Sequence, residues 1–390
     1  MSRTPTLASA ESGSLAGSTD AAPAKAVLRV ASDDSAPAAP AARPAHGKAE
    51  LRHVLPFEEP LARLEKQIAD LEDRQIALHD QSDKPVDFTA ELRELRENYT
   101  SLLRKTYSSL SAWETVQVAR HPQRPQLLDY ADLFVREFRE IHGDRRFADD
   151  RAIRCGLARI GNSKVMLIGM HKGRDTKEKI ACRFGLPNPD GYRKALRAMK
   201  LAEKFGLPVV TLVDTPGAYP GIEAEERGQS ESIAVNLMEM SRLKTPITTV
   251  IIGEGGSGGA LGIAVSDRVA MSQYAWYSVI SPEACSSILF KDPSGAPKLA
   301  EALSLTSAKL KKLGIIDNIV PEPLGGAHRD PHQAAHNLEQ YLSKSIRELE
   351  RIVKKDGIDA LLEKRYDKFR AMGAFAESGA GEQSVARSAG

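Results

Sequence analysis

Two glycine-rich loops contain the residues that are most suggestive of chemistry. Residues 214–221 read Asp-Thr-Pro-Gly-Ala-Tyr-Pro-Gly, and residues 253–259 read Gly-Glu-Gly-Gly-Ser-Gly-Gly. Each loop follows an apolar run typical of a buried strand, and the second precedes a predicted helix. Glycines at a helix start expose unpaired N–H groups, which attract a negatively charged oxygen. Because tight helix-on-strand packing also needs glycine, an oxyanion site and a packing role both stay open.

The two loops also match motifs of nucleotide-binding proteins. Gly253, Gly255 and Gly258 have dinucleotide-fingerprint spacing, but the sequence lacks the required acid at a strand end about 20 residues later. The Asp-Thr-Pro-Gly run resembles a GTPase switch, which needs an upstream Gly-Lys-Ser/Thr loop. The only Gly-Lys pair, at residues 47–48, is followed by Ala49. Both nucleotide-binding interpretations are therefore rejected.

A serine hydrolase stays open as an alternative. Gly-x-Ser-x-Gly around Ser257 matches a nucleophile elbow between a strand and a helix, and His328, His332 and His336 follow in a permitted order. The simpler interpretation is that Ser257 is a small residue in a loop that admits only small residues. A hydrolase would require one of these histidines beside the serine hydroxyl.

Other charged and aromatic residues are candidates to line the site. They are Tyr219, Glu223, Glu226, Arg227 and the segment 172–177, which contains Lys172 and Arg174. A solvated charge run is the more common explanation of that segment. The Ala-Met-Lys-Leu run at 198–201 resembles a biotin-accepting sequence, but its amphipathic helical periodicity argues against that role.

Alternating strand and helix patterns must position the two loops. We predict strands at 152–160, 164–170, 208–213 and 246–252, and helices at 190–205 and 225–243, with another from 258 to 265. The first two strands form a hairpin across Gly161 and Asn162, and Gly206 ends the first helix. This order predicts an α/β fold with a mainly parallel sheet, in which ligands bind at the carboxyl ends of the strands.

The chain before this region divides into two parts. The first fifty residues contain 15 Ala, 7 Ser and 5 Pro but no aromatic residue, which predicts disorder. A transit peptide is the alternative, although Glu11, Asp20, Asp33 and Asp34 oppose it. Apolar residues at helical spacing over 61–78 and 92–110 predict an amphipathic helical hairpin that braces the chain or a partner.

Composition narrows the class of protein. The 390 residues are 42% hydrophobic and 27% charged, with a net charge of +2, which predicts a soluble globular body. The near-neutral charge gives no excess of basic residues that would attract nucleic acid or an anionic membrane. Three widely spaced cysteines fit neither a disulfide framework nor a zinc site, so we expect a reducing, cytoplasmic location and no metal on this chain.

Eight sequence blocks, taken together, closely resemble the carboxyltransferase alpha subunits of bacterial and plastid acetyl-CoA carboxylase. They occur in the same order between about Leu55 and about Tyr366. The blocks are residues 119–125, 141–145, 172–179, 214–221, 224–231, 253–259, 278–283 and 321–329.

The resemblance implies a fold, a reaction and a set of site residues. The fold is the α/β crotonase type, of the ClpP/crotonase superfamily, with a mainly parallel sheet and an N-terminal helical hairpin. The reaction transfers a carboxyl group from carboxybiotin on the biotin carboxyl carrier protein to acetyl-CoA, which gives malonyl-CoA for fatty acid biosynthesis. The backbone oxyanion donors are Gly217, Ala218, Gly258 and Gly259. The substrate-binding residues are Gly255, Gly256, Tyr219, Lys172, Arg174 and Arg227.

The resemblance also implies partners. A beta subunit in an α2β2 assembly carries the zinc, and biotin carboxylase completes the complex, so this chain is inactive alone. A substrate other than acetyl-CoA, within the acyl-CoA class, stays open. We expect a disordered extension at 1–54, the hairpin at 55–112, the carboxyltransferase domain at 113–330, C-terminal helices at 331–372 and a disordered tail at 373–390.

Overall fold

The computed structural model describes residues 53–81 and 87–373. The predictions of disorder for residues 1–54 and 373–390 therefore fall almost entirely outside the described residues. Only residues 53, 54 and 373 of those two segments are described. No helix among the described residues combines the length and apolar character needed to span a membrane.

A single mixed sheet forms the centre of the described part of the chain. Its strands are β1 (Val135–Glu140), β2 (Ile153–Ile160), β3 (Ser163–Met170), β4 (Val209–Thr215), β5 (Ile247–Gly256), β6 (Arg268–Ser272), β7 (Trp276–Ser278) and β8 (Asn318–Val320). The order across the sheet is β1-β2-β3-β4-β5-β6-β8, and β7 pairs with the end of β5. Strand β2 is antiparallel to both of its neighbours, β1 and β3, and the other pairings between these strands are parallel.

Helices precede the sheet and cover both of its faces. They are α1 (Glu59–Gln81), α2 (Thr89–Ser108), α3 (Ala112–Ala119), α4 (Leu127–Phe134), α5 (Thr176–Ala181), α6 (Pro189–Phe205), α7 (Ile222–Glu226), α8 (Gln229–Arg242), α9 (Ser257–Leu261), α10 (Pro282–Phe290), α11 (Ala296–Ala302), α12 (Ser307–Lys312), α13 (Pro331–Asp356) and α14 (Ile358–Arg370). Short 3₁₀ turns occur at Pro56–Glu58, Arg183–Gly185 and Pro293–Gly295.

The side chains of the central strands alternate between two hydrophobic cores. Val209 and Val213 of β4 belong to the core that includes buried residues of α6 and α8. Val210 and Leu212 belong to the core that α4 and α13 complete on the opposite face. A strand buried on both faces reads as a continuous apolar run, which explains the sequence pattern. The predicted α/β fold, with a mainly parallel sheet and an N-terminal helical hairpin, is confirmed.

The structure corrects three predicted element boundaries. The helix predicted over 225–243 is split into α7 and α8, because Gly228 adopts a left-handed conformation with φ 80°. The strand predicted to end at Ile252 continues to Gly256. The helix predicted over 258–265 ends at Leu261, after five residues. The glycine-rich loop is therefore half strand, and its helix is a short turn.

A buried guanidinium attaches the last helix to the body. The Arg365 side chain is 1% exposed, and it donates to both oxygens of Asp267 at 2.8 Å. It also donates to the carbonyls of Met240, Leu243 and Thr245 at 2.7, 3.0 and 2.9 Å. These carbonyls belong to the last turn of α8 and to the residues that follow it, so the guanidinium joins α14 to the end of α8.

We predict that Arg365→Met lowers the free energy of unfolding by about 3–5 kcal/mol, because it leaves the Asp267 carboxylate buried without its partner. Urea unfolding followed by circular dichroism measures the change. Arg370→Met, at an exposed position of the same helix, is the control and should change the stability by less than about 0.5 kcal/mol. Equal unfolding midpoints for Arg365→Met and the wild type would show that this anchor contributes nothing.

Candidate active site

The two glycine-rich loops lie side by side at the carboxyl edge of the sheet. The first follows β4 and the second contains the end of β5, and these strands are parallel neighbours. The carboxyl ends of parallel strands meet at one edge of a sheet, which is where α/β proteins bind ligands. The crossover of helices between the strands therefore brings the two loops together, as expected.

The main chains of the two loops touch each other. A methyl group on Gly256 would collide with the carbonyl of Pro216, and one on Gly259 would collide with the backbone of Gly217 and Ala218. Gly255 lies against the Tyr277 ring in the same way, with 2.7 Å to an added methyl. The side chains missing from these positions leave room for protein rather than for a ligand. The substrate-binding role of Gly255 and Gly256 stays a prediction, and the contacts give them a packing role.

Two glycines face open space instead. A methyl group on Gly217 or Gly258 would meet no atom within 4 Å. Among the described residues, no acceptor binds the N–H groups of Ala218, Gly258 or Gly259. The Gly217 N–H, in contrast, donates to the Thr215 hydroxyl at 3.1 Å. Of the four predicted donors, three are thus available, and Ala218 is the one that the first loop offers.

The short helix α9 is anchored from behind. The Tyr192 hydroxyl donates to the Gly259 carbonyl at 3.0 Å, and the Asn236 amide donates to the Gly262 carbonyl at 2.9 Å. Both side chains are fully buried. Because α9 has five residues, its local N–H groups rather than the dipole of a long helix are available to a ligand oxygen. The anchors fix the direction in which those groups point.

A network of ion pairs lies behind the loops. The Lys172 ammonium lies 2.6 Å from Asp214 Oδ1 and 2.7 Å from Glu254 Oε1. Arg120 Nε lies 2.6 Å from the other Glu254 oxygen, and the same guanidinium pairs with Glu283. Burial alone would raise the pKa of Glu254, but Lys172 and Arg120 hold it below its usual value. The opposite charges likewise hold the pKa of Lys172 above its usual value despite burial. Glu254 and Lys172 are therefore both ionised at neutral pH.

The three basic residues predicted to bind substrate all have protein partners. Lys172 belongs to the ion-pair network. Arg174 pairs with Asp129 and donates to the Arg124 carbonyl at 3.1 Å. Arg227 contacts Asp190 at 3.3 Å. Their substrate-binding roles stay predictions, and each would require a ligand to share or displace a carboxylate.

Tyr219 is fixed at the tip of the first loop. Its N–H donates to the Pro187 carbonyl at 3.0 Å, and the Arg183 guanidinium lies 4.2 Å from the centre of its ring. Gly221 approaches the ring so closely that an added methyl would collide with it. Tyr219 therefore presents a rigid aromatic surface beside the loops.

The geometry around Ser257 does not favour a nucleophile. Across residues 53–81 and 87–373, no hydrogen bond joins Ser257 to a histidine. His328 instead stacks on His121, with 3.9 Å between ring centroids, and His332 and His336 belong to α13. Ser257 has φ 52°, a conformation that a non-glycine residue adopts at a cost in energy. The chain turns sharply here to begin α9.

A second cluster combines Glu58, His121 and His328, whose ligand-type atoms lie within 4.8 Å of one another. The Glu58 carboxylate already accepts from the Tyr107 hydroxyl at 2.8 Å and from Arg329 at 2.6 Å. A cation there would lie beside the Arg329 guanidinium, and the stacked imidazoles, inclined by 22°, cannot both aim a nitrogen at one ion. The cluster joins the N-terminal hairpin to the body.

Sequence reasoning missed most of the ion-pair network. Arg120, Glu254 and Glu283 lie within the matching blocks, but the sequence pattern alone indicates no role for them. A strongly polar residue inside a glycine tract, as at Glu254, was the available signal, because burial of a carboxylate requires a partner. Its partners lie 82 and 134 positions away in sequence, so a single sequence does not identify them.

Comparisons with known proteins agree on one family. A family model described as acetyl co-enzyme A carboxylase carboxyltransferase-like matches residues 54–373. The acetyl-coenzyme A carboxylase carboxyl transferase subunit alpha of Methylococcus capsulatus is 54% identical over 323 residues, which cover 83% of this chain and 98% of the relative. The protein of the same name from Rhodopirellula baltica is 52% identical over 318 residues, covering 82% and 98%.

Among solved structures, the beta subunit of P. aeruginosa geranyl-CoA carboxylase is similar with a TM-score of 0.46 and 19% identity, over 62% of this chain and 46% of that one. The family model spans the hairpin, both loops and the ion-pair network. The chain belongs to the acetyl co-enzyme A carboxylase carboxyltransferase-like family.

Proposed function

We propose that this chain is the alpha subunit of an acetyl-CoA carboxylase carboxyltransferase. It transfers the carboxyl group of carboxybiotin, presented by the biotin carboxyl carrier protein, to acetyl-CoA and so forms malonyl-CoA for fatty acid biosynthesis. The observation that carries the proposal is the contact between two main-chain loops at which Gly217 and Gly258 face open space and the N–H groups of Ala218, Gly258 and Gly259 have no acceptor among the described residues. Relatives at 52–55% identity bear this name.

The geometry suits a reaction that develops charge on oxygen. Carboxyl transfer places negative charge on the biotin ureido oxygen and on the thioester oxygen, and the biotin nitrogen can take up the methyl proton. Backbone donors held in place before the reaction stabilise such oxyanions without reorganising. The Gly258 and Gly259 N–H groups belong to one donor set, and Ala218 supplies a donor from the neighbouring loop. No side-chain nucleophile is needed.

The partners follow from the same proposal. A beta subunit, in an α2β2 assembly, supplies the zinc site and most acyl-CoA contacts, and biotin carboxylase and the carrier protein complete the complex. We also keep the cytoplasmic location and the absence of nucleic-acid and membrane partners as predictions. Copurification of this chain with a zinc-containing subunit tests the assembly. Comparison of acetyl-CoA with longer acyl-CoA substrates tests the alternative that another acyl group is carboxylated.

We predict that Gly258→Val lowers kcat for carboxyl transfer by at least about 10²-fold, because its side chain would occupy the open space that a substrate oxygen needs. The chain should fold and assemble normally, since an added methyl here meets no atom within 4 Å. Malonyl-CoA formation by the complex reconstituted with its beta subunit measures the effect, and thermal unfolding checks the fold.

Gly259→Val provides the contrast for this experiment. Its side chain would collide with the backbone of Gly217 and Ala218, so we expect loss of folded protein together with loss of turnover. Full activity in the Gly258 variant would remove the loop from the mechanism. Absence of malonyl-CoA formation by the wild-type complex would refute the proposed function itself.

We predict that Ser257→Gly keeps kcat within about threefold of the wild type, because backbone donors do not need the hydroxyl. Glycine also adopts φ 52° without strain, so stability should be unchanged or slightly higher. The same carboxyl-transfer assay and a thermal melt measure both quantities. A large loss of carboxyl transfer with unchanged stability would instead show that the Ser257 hydroxyl takes part in the reaction, which contradicts a site made of backbone donors alone.

A further inference from the structure

We propose that Glu254 is a positioning residue for the oxyanion donors, a role that rests on the proposed function of the two loops. Its carboxylate belongs to no substrate pocket, since the side chain is 7% exposed and both oxygens are bound by cations of this chain. Its effect is on the path of β5, and through that path on Ser257–Leu261, where the donors begin.

The first step of the argument is an irregularity in the pairing of β4 with β5. Val213 pairs with Ile251, but Thr215 pairs with Gly255. A single residue of β4, Asp214, therefore stands opposite residues 252–254. Such a bulge bends a strand and redirects the residues that follow it. The bulge occurs two residues before Gly256, the last residue of the strand before the donors.

The second step is the ring of contacts that closes over this bulge. Asp214 Oδ1 accepts the Glu254 N–H at 2.9 Å and the Lys172 ammonium at 2.6 Å. The same ammonium also lies 2.7 Å from the Glu254 carboxylate, which closes the ring. Gly253 leaves room for the Asp214 carboxylate, because an added methyl would collide with it. Main chain and side chain of Glu254 are thus bound at the same time.

The third step is the pairing of the end of β5 with β7. Beyond the bulge, β5 pairs with β7, where Glu254 is opposite Trp276 and Gly256 is opposite Ser278. Arg120 binds the Glu254 carboxylate at 2.6 Å and lies 5.7 Å from the Trp276 ring, so it connects both strands. A shift of Glu254 would therefore move Gly256 and the N–H groups that follow it.

The charge balance indicates which substitution opens the ring. Two cations, Lys172 and Arg120, face three carboxylates, those of Asp214, Glu254 and Glu283. Each Glu254 oxygen receives a donor from a cation. A glutamine side chain has one oxygen and one NH₂ group. Its oxygen can accept a hydrogen bond from only one of the two cations, and its NH₂ group faces the other cation with a donor instead of an acceptor. The substitution keeps the size of the side chain but breaks one side of the ring.

The test is Glu254→Gln in the complex reconstituted with its beta subunit. We expect kcat for carboxyl transfer to fall about 10²-fold, whereas KM for the CoA substrate stays within about threefold, because misplaced donors lose contact mainly with the transition state. Amide hydrogen exchange over residues 253–256, measured on the same complex, should become at least tenfold faster and needs no turnover.

Asp267→Asn is the matched control, since that carboxylate is 3% exposed and binds Arg365, and it also accepts the N–H of Ile247 at the first residue of β5, far from the donors. It should lower the melting temperature without changing kcat per folded complex or exchange over 253–256. Unchanged exchange in Glu254→Gln, unchanged kcat, or a loss that merely follows the melting temperature as in the control, each overturns the proposal. Wild-type turnover separately tests the proposed function.

Discussion

The contact between two main chains at the carboxyl edge of the sheet constrains the whole candidate site. Gly256 and Gly259 lie against residues 216–218 so closely that a methyl group would collide there. Such a contact leaves no room for side chains, so in the proposed reaction the chemistry falls to backbone N–H groups. The positions of these groups follow from the ends of β4 and β5, where the pairing of the two strands is irregular opposite Asp214.

A site built from backbone donors takes its rigidity from the side chains that surround it. Tyr192 and Asn236 hold the carbonyls of α9, and the ring formed by Lys172, Asp214 and Glu254 holds the bulge. Burial of these charges is costly in isolation, but each charge has an opposite neighbour within hydrogen-bonding distance. Polar groups that are buried and fully paired restrict a strand end more narrowly than apolar contacts, which have no direction.

The sequence allowed prediction of those parts of the fold that local patterns encode. Periodicity predicts the apolar runs of β4 and β5, which are buried on both faces of the sheet. Turn chemistry predicts the end of α6 at Gly206. The split at Gly228 was missed because the apolar periodicity of α8 masks a left-handed residue before it. The extension of β5 was missed for another reason, since its pairing with β7 is a non-local contact and its glycines have low strand propensity.

The contacts of the predicted basic residues indicate how substrate recognition is divided between the subunits of the proposed complex. Lys172, Arg174 and Arg227 each contact a carboxylate of the same chain, so an anionic substrate group would have to compete with an existing ion pair. A site of this kind can stabilise charge that develops during the reaction, but it offers little to the phosphates of a CoA carried in the ground state. In the proposed complex, most CoA contacts therefore belong to the beta subunit, and this chain supplies oriented donors.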